Sequence, residues 1–276
     1  MLNFKKITII GPGLIGGSIG LILKNKFGNK IGITGVGRNI KRLKLAKKFS
    51  AIDDYSLDII SSVKNKDLII IATPVEKIVN IIKLILPHIK RDTLITDVGS
   101  IKHSIISELK KIKNNNLNYI GSHPIAGSEK TGIEYANINL FKNSVCVLCF
   151  DKKLSNKKYL KKLTTFWKIL DSRVVLLNSL KHDKILAATS HFLHIISYLI
   201  AKQINSRKEY LNFIGGAYRD MTRISKSDIE LWSQICSLNN KFIKKELNMF
   251  IVNLLKIKKI INNKKKLFKF FTNINQ

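Results

Sequence analysis

Ile7-Thr8-Ile9-Ile10-Gly11-Pro12-Gly13-Leu14-Ile15-Gly16, near the start of the 276-residue chain, decides how the rest is read. Residues 7–10 make a short apolar run of the kind expected for a strand buried on both faces. Residues 14–26 follow with the spacing of a helix. Between them stand three glycines in the order G-x-G-x-x-G. Gly11 permits a tight turn, Gly13 lets the backbone approach a pyrophosphate, and Gly16 lets the helix pack closely on the sheet. The helix N-terminus then offers unpaired N–H groups and a positive dipole end to the phosphates. In this strand–turn–helix setting the pattern predicts a dinucleotide site, with Leu14 and Ile15 part of the same turn.

Working outward, short β-type runs alternate with helical stretches through the first half, the pattern of a parallel sheet flanked by helices. Further strands are predicted at 30–36, 67–72, 93–97, 118–121, 145–150 and 173–177. Helices are predicted at 39–49, 75–86, 101–113 and 156–170. Thr73-Pro74, closing the strand at 67–72, joins the expected cofactor-binding set. From about His182 onward no β-type run remains, and apolar residues recur at helical spacing in 185–204 and 242–261. The expected division is a doubly wound α/β domain over residues 1–179 and an all-helical domain over residues 180–276. Residues 195–201 are apolar almost all round, which predicts a deeply buried helix, within the chain or against another subunit.

The second strand refines the cofactor. An acidic residue usually ends it and bonds the ribose hydroxyls of NAD. Here the sequence runs Gly35-Val36-Gly37-Arg38. A glycine removes repulsion of a 2′-phosphate, and a guanidinium can pair with one bidentately. The reading is NADP through Arg38, with NAD the alternative.

Composition narrows the function classes. Apolar residues make up 45% and charged residues 24%, ordinary for a globular protein. Lys and Arg number 49 against 18 acidic residues, a net charge of +31. Such an excess often marks nucleic-acid or anionic-membrane binding. Here the lysines are spread along the whole chain and no nucleic-acid motif accompanies them, so the charge is read as compositional drift. Three cysteines make no disulfide framework, which suggests a reducing compartment. Cys146 and Cys149 form a C-x-x-C, but three residues apart on a strand they face opposite sides, against a redox or metal role. No signal peptide is evident, and no uncharged stretch is read as approaching the ~18 residues of a membrane span. The expected location is the cytoplasm, with neither a membrane nor a specific nucleic acid as partner.

Polar segments carry the chemistry. Thr96-Asp97-Val98-Gly99-Ser100-Ile101-Lys102 follows a strand end, where open α/β sheets place ligands. Gly121-Ser122-His123-Pro124-Ile125-Ala126-Gly127-Ser128-Glu129 reads as a polar glycine-rich loop, which favours a functional rather than a core histidine. Ser190-His191-Phe192-Leu193-His194 and Asp220-Met221-Thr222-Arg223-Ile224 lie in the helical half.

Together with the glycine turn, these segments resemble the prephenate/arogenate dehydrogenase family, in the family's order from about residue 5 to 250. The resemblance implies a Rossmann domain, a helical dimerisation domain, a homodimer, and an active site between the two domains. It implies oxidative decarboxylation of prephenate or arogenate with a nicotinamide cofactor, in tyrosine biosynthesis. By the same resemblance, His123 accepts the hydroxyl proton and Ser100 lies beside nicotinamide and substrate. Ser128, Glu129 and His191 touch the substrate, Arg223 holds a carboxylate, and Glu129 pairs with the Asp220/Arg223 cluster. One departure is visible: the family commonly has proline before its second helical histidine, where Leu193 stands here. A helix without that proline need not kink. The sequence further suggests neither a fused chorismate mutase before the first strand nor a regulatory module after the helices, so tyrosine feedback would act at the active site. Competing readings are a β-hydroxyacid-type dehydrogenase, against which the His123 segment argues, and a basic nucleic-acid-binding protein on an inactive Rossmann scaffold. The latter would bind nucleic acid with steep salt dependence.

Overall fold

A computed structural model describes residues 3–112, 117–127 and 130–272. Five parallel strands form the first sheet: β1 (Lys6–Ile10), β2 (Gly32–Val36), β3 (Asp54–Ser56), β4 (Leu68–Ile71) and β5 (Leu94–Asp97), ordered β3-β2-β1-β4-β5. Between them run α1 (Leu14–Phe27), α2 (Ile40–Lys48), α3 (Ile59–Val63) and α4 (Ile78–Ile85), with α5 (His103–Leu109) after β5. The continuous apolar runs have a direct cause. Ile7, Ile9, Leu68 and Ile70 enter one core with α1, while Ile10, Ile69, Ile71 and Ile95 enter a second core on the other face. Both faces are covered, so apolar residues follow one another instead of alternating with exposed polar ones. The chain order reverses direction at β1, between β2 and β4, which opens a crevice at the C-terminal strand ends.

A second, three-stranded sheet follows: β6 (Gly121–Ile125), β7 (Val145–Cys149) and β8 (Arg173–Leu177), with α6 (Lys157–Ile169) between β7 and β8. β6 runs antiparallel to β7, and β7 parallel to β8. A bridge between Ile95 and Tyr119 joins this sheet to the first. β3 and α3 are absent from the expected elements because, at three and five residues, they are too short for a strand or helix period to show.

The helical half comprises α7 (Ser179–Leu186), α8 (Phe192–Asn205), α9 (Gly216–Thr222), α10 (Ile229–Leu238), α11 (Asn240–Ile260) and α12 (Lys264–Thr272). A π turn, Ala187–His191, joins α7 to α8, and its closing bond runs from Phe192 N–H to the Ala187 carbonyl. Two expectations change here. Residues 195–201 are not buried within the chain: Ser197 is the buried residue of α8, and Leu199 is 53% exposed. Apolarity all round therefore leaves a face that this chain does not cover. In addition, among the described residues one helical run, Ser179–Asn205, is long and apolar enough by length and composition to cross a membrane. Residues 185–201 hold no Lys, Arg, Asp or Glu, which produces that reading. Its first turns, however, carry His182 and Asp183, both buried and hydrogen-bonded against β6 and the start of α5.

Candidate active site

The glycine turn has the geometry its sequence demands. Gly11 takes φ +89°, a conformation L side chains rarely adopt, and its N–H donates to the Val36 carbonyl at 2.8 Å. A Cβ on Gly16 would lie 2.6 Å from the Gly11 carbonyl oxygen, so helix α1 meets the turn where no side chain fits. A Cβ on Gly13 would meet nothing within 4 Å. The backbone at Gly13 is thus bare and faces open space at the mouth of α1. That arrangement fits a dinucleotide pyrophosphate. Leu14 and Ile15 open α1, Thr73 and Pro74 follow β4, and half-buried Ser100 follows β5, all beyond the C-terminal strand ends. Arg38 is exposed just past β2, next to Asn39, whose side chain caps α2 through Arg42 N–H.

A buried polar cluster braces the Ser100 loop. Lys102 and Asp97, both 0% exposed, form an ion pair, and Tyr119 donates its hydroxyl to Asp97 Oδ1 at 2.6 Å. The other Asp97 oxygen accepts from Gly99 N–H at 2.9 Å, which pins the residue before Ser100. Burial, then the Asp97 charge, pushes the Tyr119 hydroxyl well above its ordinary range. Gly121 leaves room for this: a Cβ there would lie 2.8 Å from Lys102 Cδ.

His123 requires a correction. It sits not in a loop but in strand β6, opposite Val147, and is 8% exposed. Gly121 and Pro124 resemble loop signals, yet β6 pairs on one side only, and an edge strand tolerates proline. Ser122, the neighbour of His123, accepts from Trp167 Nε1 at 3.0 Å and lies 2.7 Å from Thr96 Oγ1, fixing β6 between α6 and β5. His123 Nδ1 lies 2.8 Å from His182 Nε2. Burial, with the neighbouring His182, Lys102 and His191, pushes the His123 imidazole well below its ordinary pKa, so it stays neutral.

His191, at the end of the π turn, is 1% exposed and meets the Asn239 amide through Nδ1 at 3.0 Å. Burial holds its pKa down at about 4. His194 stacks on Trp232; burial, and then Arg223, exposed at the end of α9, disfavour a charge on its ring. Rings and cation thus form a series from β6 to α9: His123, His182, His191, His194, Arg223. Ser128 and Glu129 lie outside the described residues. Cys146 and Cys149 are both buried, and burial pushes Cys149 up to about 12 and Cys146 well above its ordinary value, so neither is a ready thiolate. Among the described residues no group of three or more His, Cys, Asp or Glu is placed to hold a metal ion.

Comparison with known proteins agrees with this geometry. Residues 19–176 match the family model "Prephenate dehydrogenase, nucleotide-binding domain", and residues 178–273 match "Prephenate dehydrogenase, dimerization domain". The chain belongs to the prephenate dehydrogenase family. Among relatives of this family, prephenate dehydrogenase of Bacillus subtilis is 32% identical over 98% of this chain and 75% of its own length. Cyclohexadienyl dehydrogenase of Zymomonas mobilis is 29% identical over 95% of this chain and 90% of its own. Prephenate dehydrogenase of A. aeolicus, solved with hydroxyphenyl propionate and NAD+, superposes with a TM-score of 0.91 at 26% identity, covering 99% and 97% of the two chains. Family membership carries the enzyme class and a nicotinamide cofactor. The buried partners His182, Asp183 and Asn239 carry no signal of their role in the sequence. Asp97 and Lys102 stand in the polar segment at the end of β5, but nothing in their spacing says that they pair.

Proposed function

We propose that this protein catalyses the oxidative decarboxylation of prephenate or arogenate in tyrosine biosynthesis, in the cytoplasm and as a homodimer. The observation that carries the reading is His123, a buried imidazole kept neutral at the junction of the sheet edge and the helical half. A neutral imidazole accepts a proton at working pH. In this reading His123 takes the proton of the substrate's ring hydroxyl. Ser100 orients that hydroxyl, and Arg223 and His191 hold the substrate's carboxylated end. Ser128 and Glu129 complete the substrate side. The bound nicotinamide would accept the hydride from the ring. Loss of the ring carboxylate as CO2 then leaves the ring aromatic. Residues 1–179 would bind the dinucleotide and residues 180–276 would supply the helical, dimer-forming part.

For the cofactor, the A. aeolicus relative solved with NAD+ supports NAD, and Gly37-Arg38 supports NADP. We infer that the site accepts both and that NADP use depends on Arg38. Arg38→Ala removes a charge-assisted contact worth about 1.5–3 kcal/mol. Its ratio of kcat/KM for NADP over NAD should fall at least tenfold. Equal losses for both cofactors would make Arg38 ordinary surface charge. Steady-state turnover with prephenate and arogenate, each with NAD and NADP, tests the function itself. No turnover with either acid would overturn it.

A further inference from the structure

The hydrogen bonds around Asp183 form one connected set. Its carboxylate accepts from Lys102 N–H at 2.9 Å and His103 N–H at 3.0 Å, both at the start of α5. It also meets His182 Nδ1 at 2.7 Å. A carboxylate only accepts, so the His182 proton sits on Nδ1, and in the neutral ring Nε2 is a bare acceptor. That Nε2 lies 2.8 Å from His123 Nδ1. Two bare nitrogens cannot share a hydrogen bond, so with both rings neutral the His123 proton is on Nδ1 and its Nε2 carries the free lone pair.

The same residue acts on the other site histidine through its main chain. Asn239 Nδ2 donates to the Asp183 carbonyl at 2.8 Å and lies 3.0 Å from His191 Nδ1. An amide nitrogen only donates, so His191 Nδ1 is an acceptor and its proton sits on Nε2. We propose that His182 and Asp183 are positioning residues that fix His123 as a proton acceptor at Nε2, while Asp183 and Asn239 fix His191 as a donor at Nε2. This rests on the reading of His123 as the base. The substrate O–H bond breaks and the new N–H forms at His123 Nε2; the electron pair left on oxygen closes the ring carbonyl as the hydride on the same carbon leaves, which the bound nicotinamide would accept. His123 then carries the positive charge, which the Asp183 carboxylate offsets through His182. Lys102 before α5, Asp97 at the end of β5, Cys146 on β7 and His191 on the π turn complete the titratable surroundings of His123. Asp97 and Lys102 offset one another, which leaves Asp183 as the anion joined to the imidazoles.

Long-range 1H–15N correlation on the 15N-labelled full chain at pH 8 reads the tautomers, with His123→Asn and His191→Asn assigning the signals. Expected are a protonated Nδ1 on His123 and a protonated Nε2 on His191. A protonated Nε2 on His123 overturns the proposal, and would arise if His182 were cationic. Kinetics provide a second arm. His182→Leu should lower kcat roughly 10²-fold, the low end of what a positioned base contributes, with KM within about threefold. It should also move the acidic limb of the pH profile. His182→Gln, whose carbonyl can stand in for Nε2, should recover most of the rate. If His123→Asn is inactive while His182→Leu keeps wild-type kcat and pH profile, the positioning role fails and the enzyme reading stands. If His123→Asn itself turns over normally, it is the base assignment that fails.

Discussion

An imidazole held neutral by burial accepts protons at pH values where an exposed one is already charged. For His123 this places the acidic limb of kcat/KM below the ordinary imidazole value of about 6.5, because protonation is what removes the base. His123→Asn should lose that limb and about 10²–10⁴ in kcat, with KM little changed. A rate near wild type would return His123 to the core. At the far end of the ring series, Arg223→Ala should raise KM strongly while the melting temperature holds. Lysine should restore only part of the affinity, since it brings back the charge but not the planar fork. A lower melting temperature with unchanged KM would instead assign Arg223 to bracing the helices. His123, Ser100 and Arg223 were legible as candidates because each stands in a short polar segment, Ser100 and Arg223 just past an element's end and His123 within β6. His182, Asp183 and Asn239 were not legible: a His-Asp pair at the start of a helix looks like any solvated first turn until the fold presses it against β6.

At the scale of elements, the glycine turn and the Asp97–Lys102 brace make separable predictions. Gly13 faces open space, so Gly13→Ala should keep the melting temperature and weaken dinucleotide binding. Gly16→Ala forces a Cβ against backbone, and should cost about 1–3 kcal/mol of stability in denaturant unfolding with or without cofactor. The reverse pattern would mean that Gly13 serves only the turn. Lys102→Met leaves a fully buried Asp97 without its cation, a loss of about 3–5 kcal/mol. The sheet was readable because β4 is apolar throughout and β1 and β5 each carry adjacent buried apolar residues, as strands covered on both faces do. The strand character of β6 was not, since Gly121, Ser122, His123 and Pro124 have low strand propensity, and what holds them extended is long-range, from Trp167 and Thr96.

For the molecule as a whole, two histidines buried neutral make folding stability depend on pH. His123 and His191 both have folded pKa values below the unfolded 6.5, so the unfolded chain binds more protons as pH falls. Their stabilisation is complete above about pH 6.5 and is lost as pH drops toward 4, each costing about 1.4 kcal/mol per pH unit. Melting temperatures across that window check the sign; a flat profile would mean that neither ring is buried in solution. Leu193, Leu199, Leu254 and Leu255 are exposed on α8 and α11. If a second copy covers them, light scattering gives twice the 31.4 kDa of one chain, and Leu199→Asp shifts the mass toward one. The π turn at Ala187–His191 adds a consequence of its own. Each residue of an α-helix advances the screw by about 100°, and a π turn accommodates one residue more than the α spacing allows. Everything after it is therefore rephased relative to His182 and Asp183. Deleting Ala188 would let the run relax into an unbroken α-helix. His182 and Asp183 at its base would stay docked, while the exposed leucines of α8 swung round by about one residue step. The His182–Asp183 pair and the exposed leucines of α8 are thus geared together by a single hydrogen-bond offset, and a one-residue deletion would throw them out of phase.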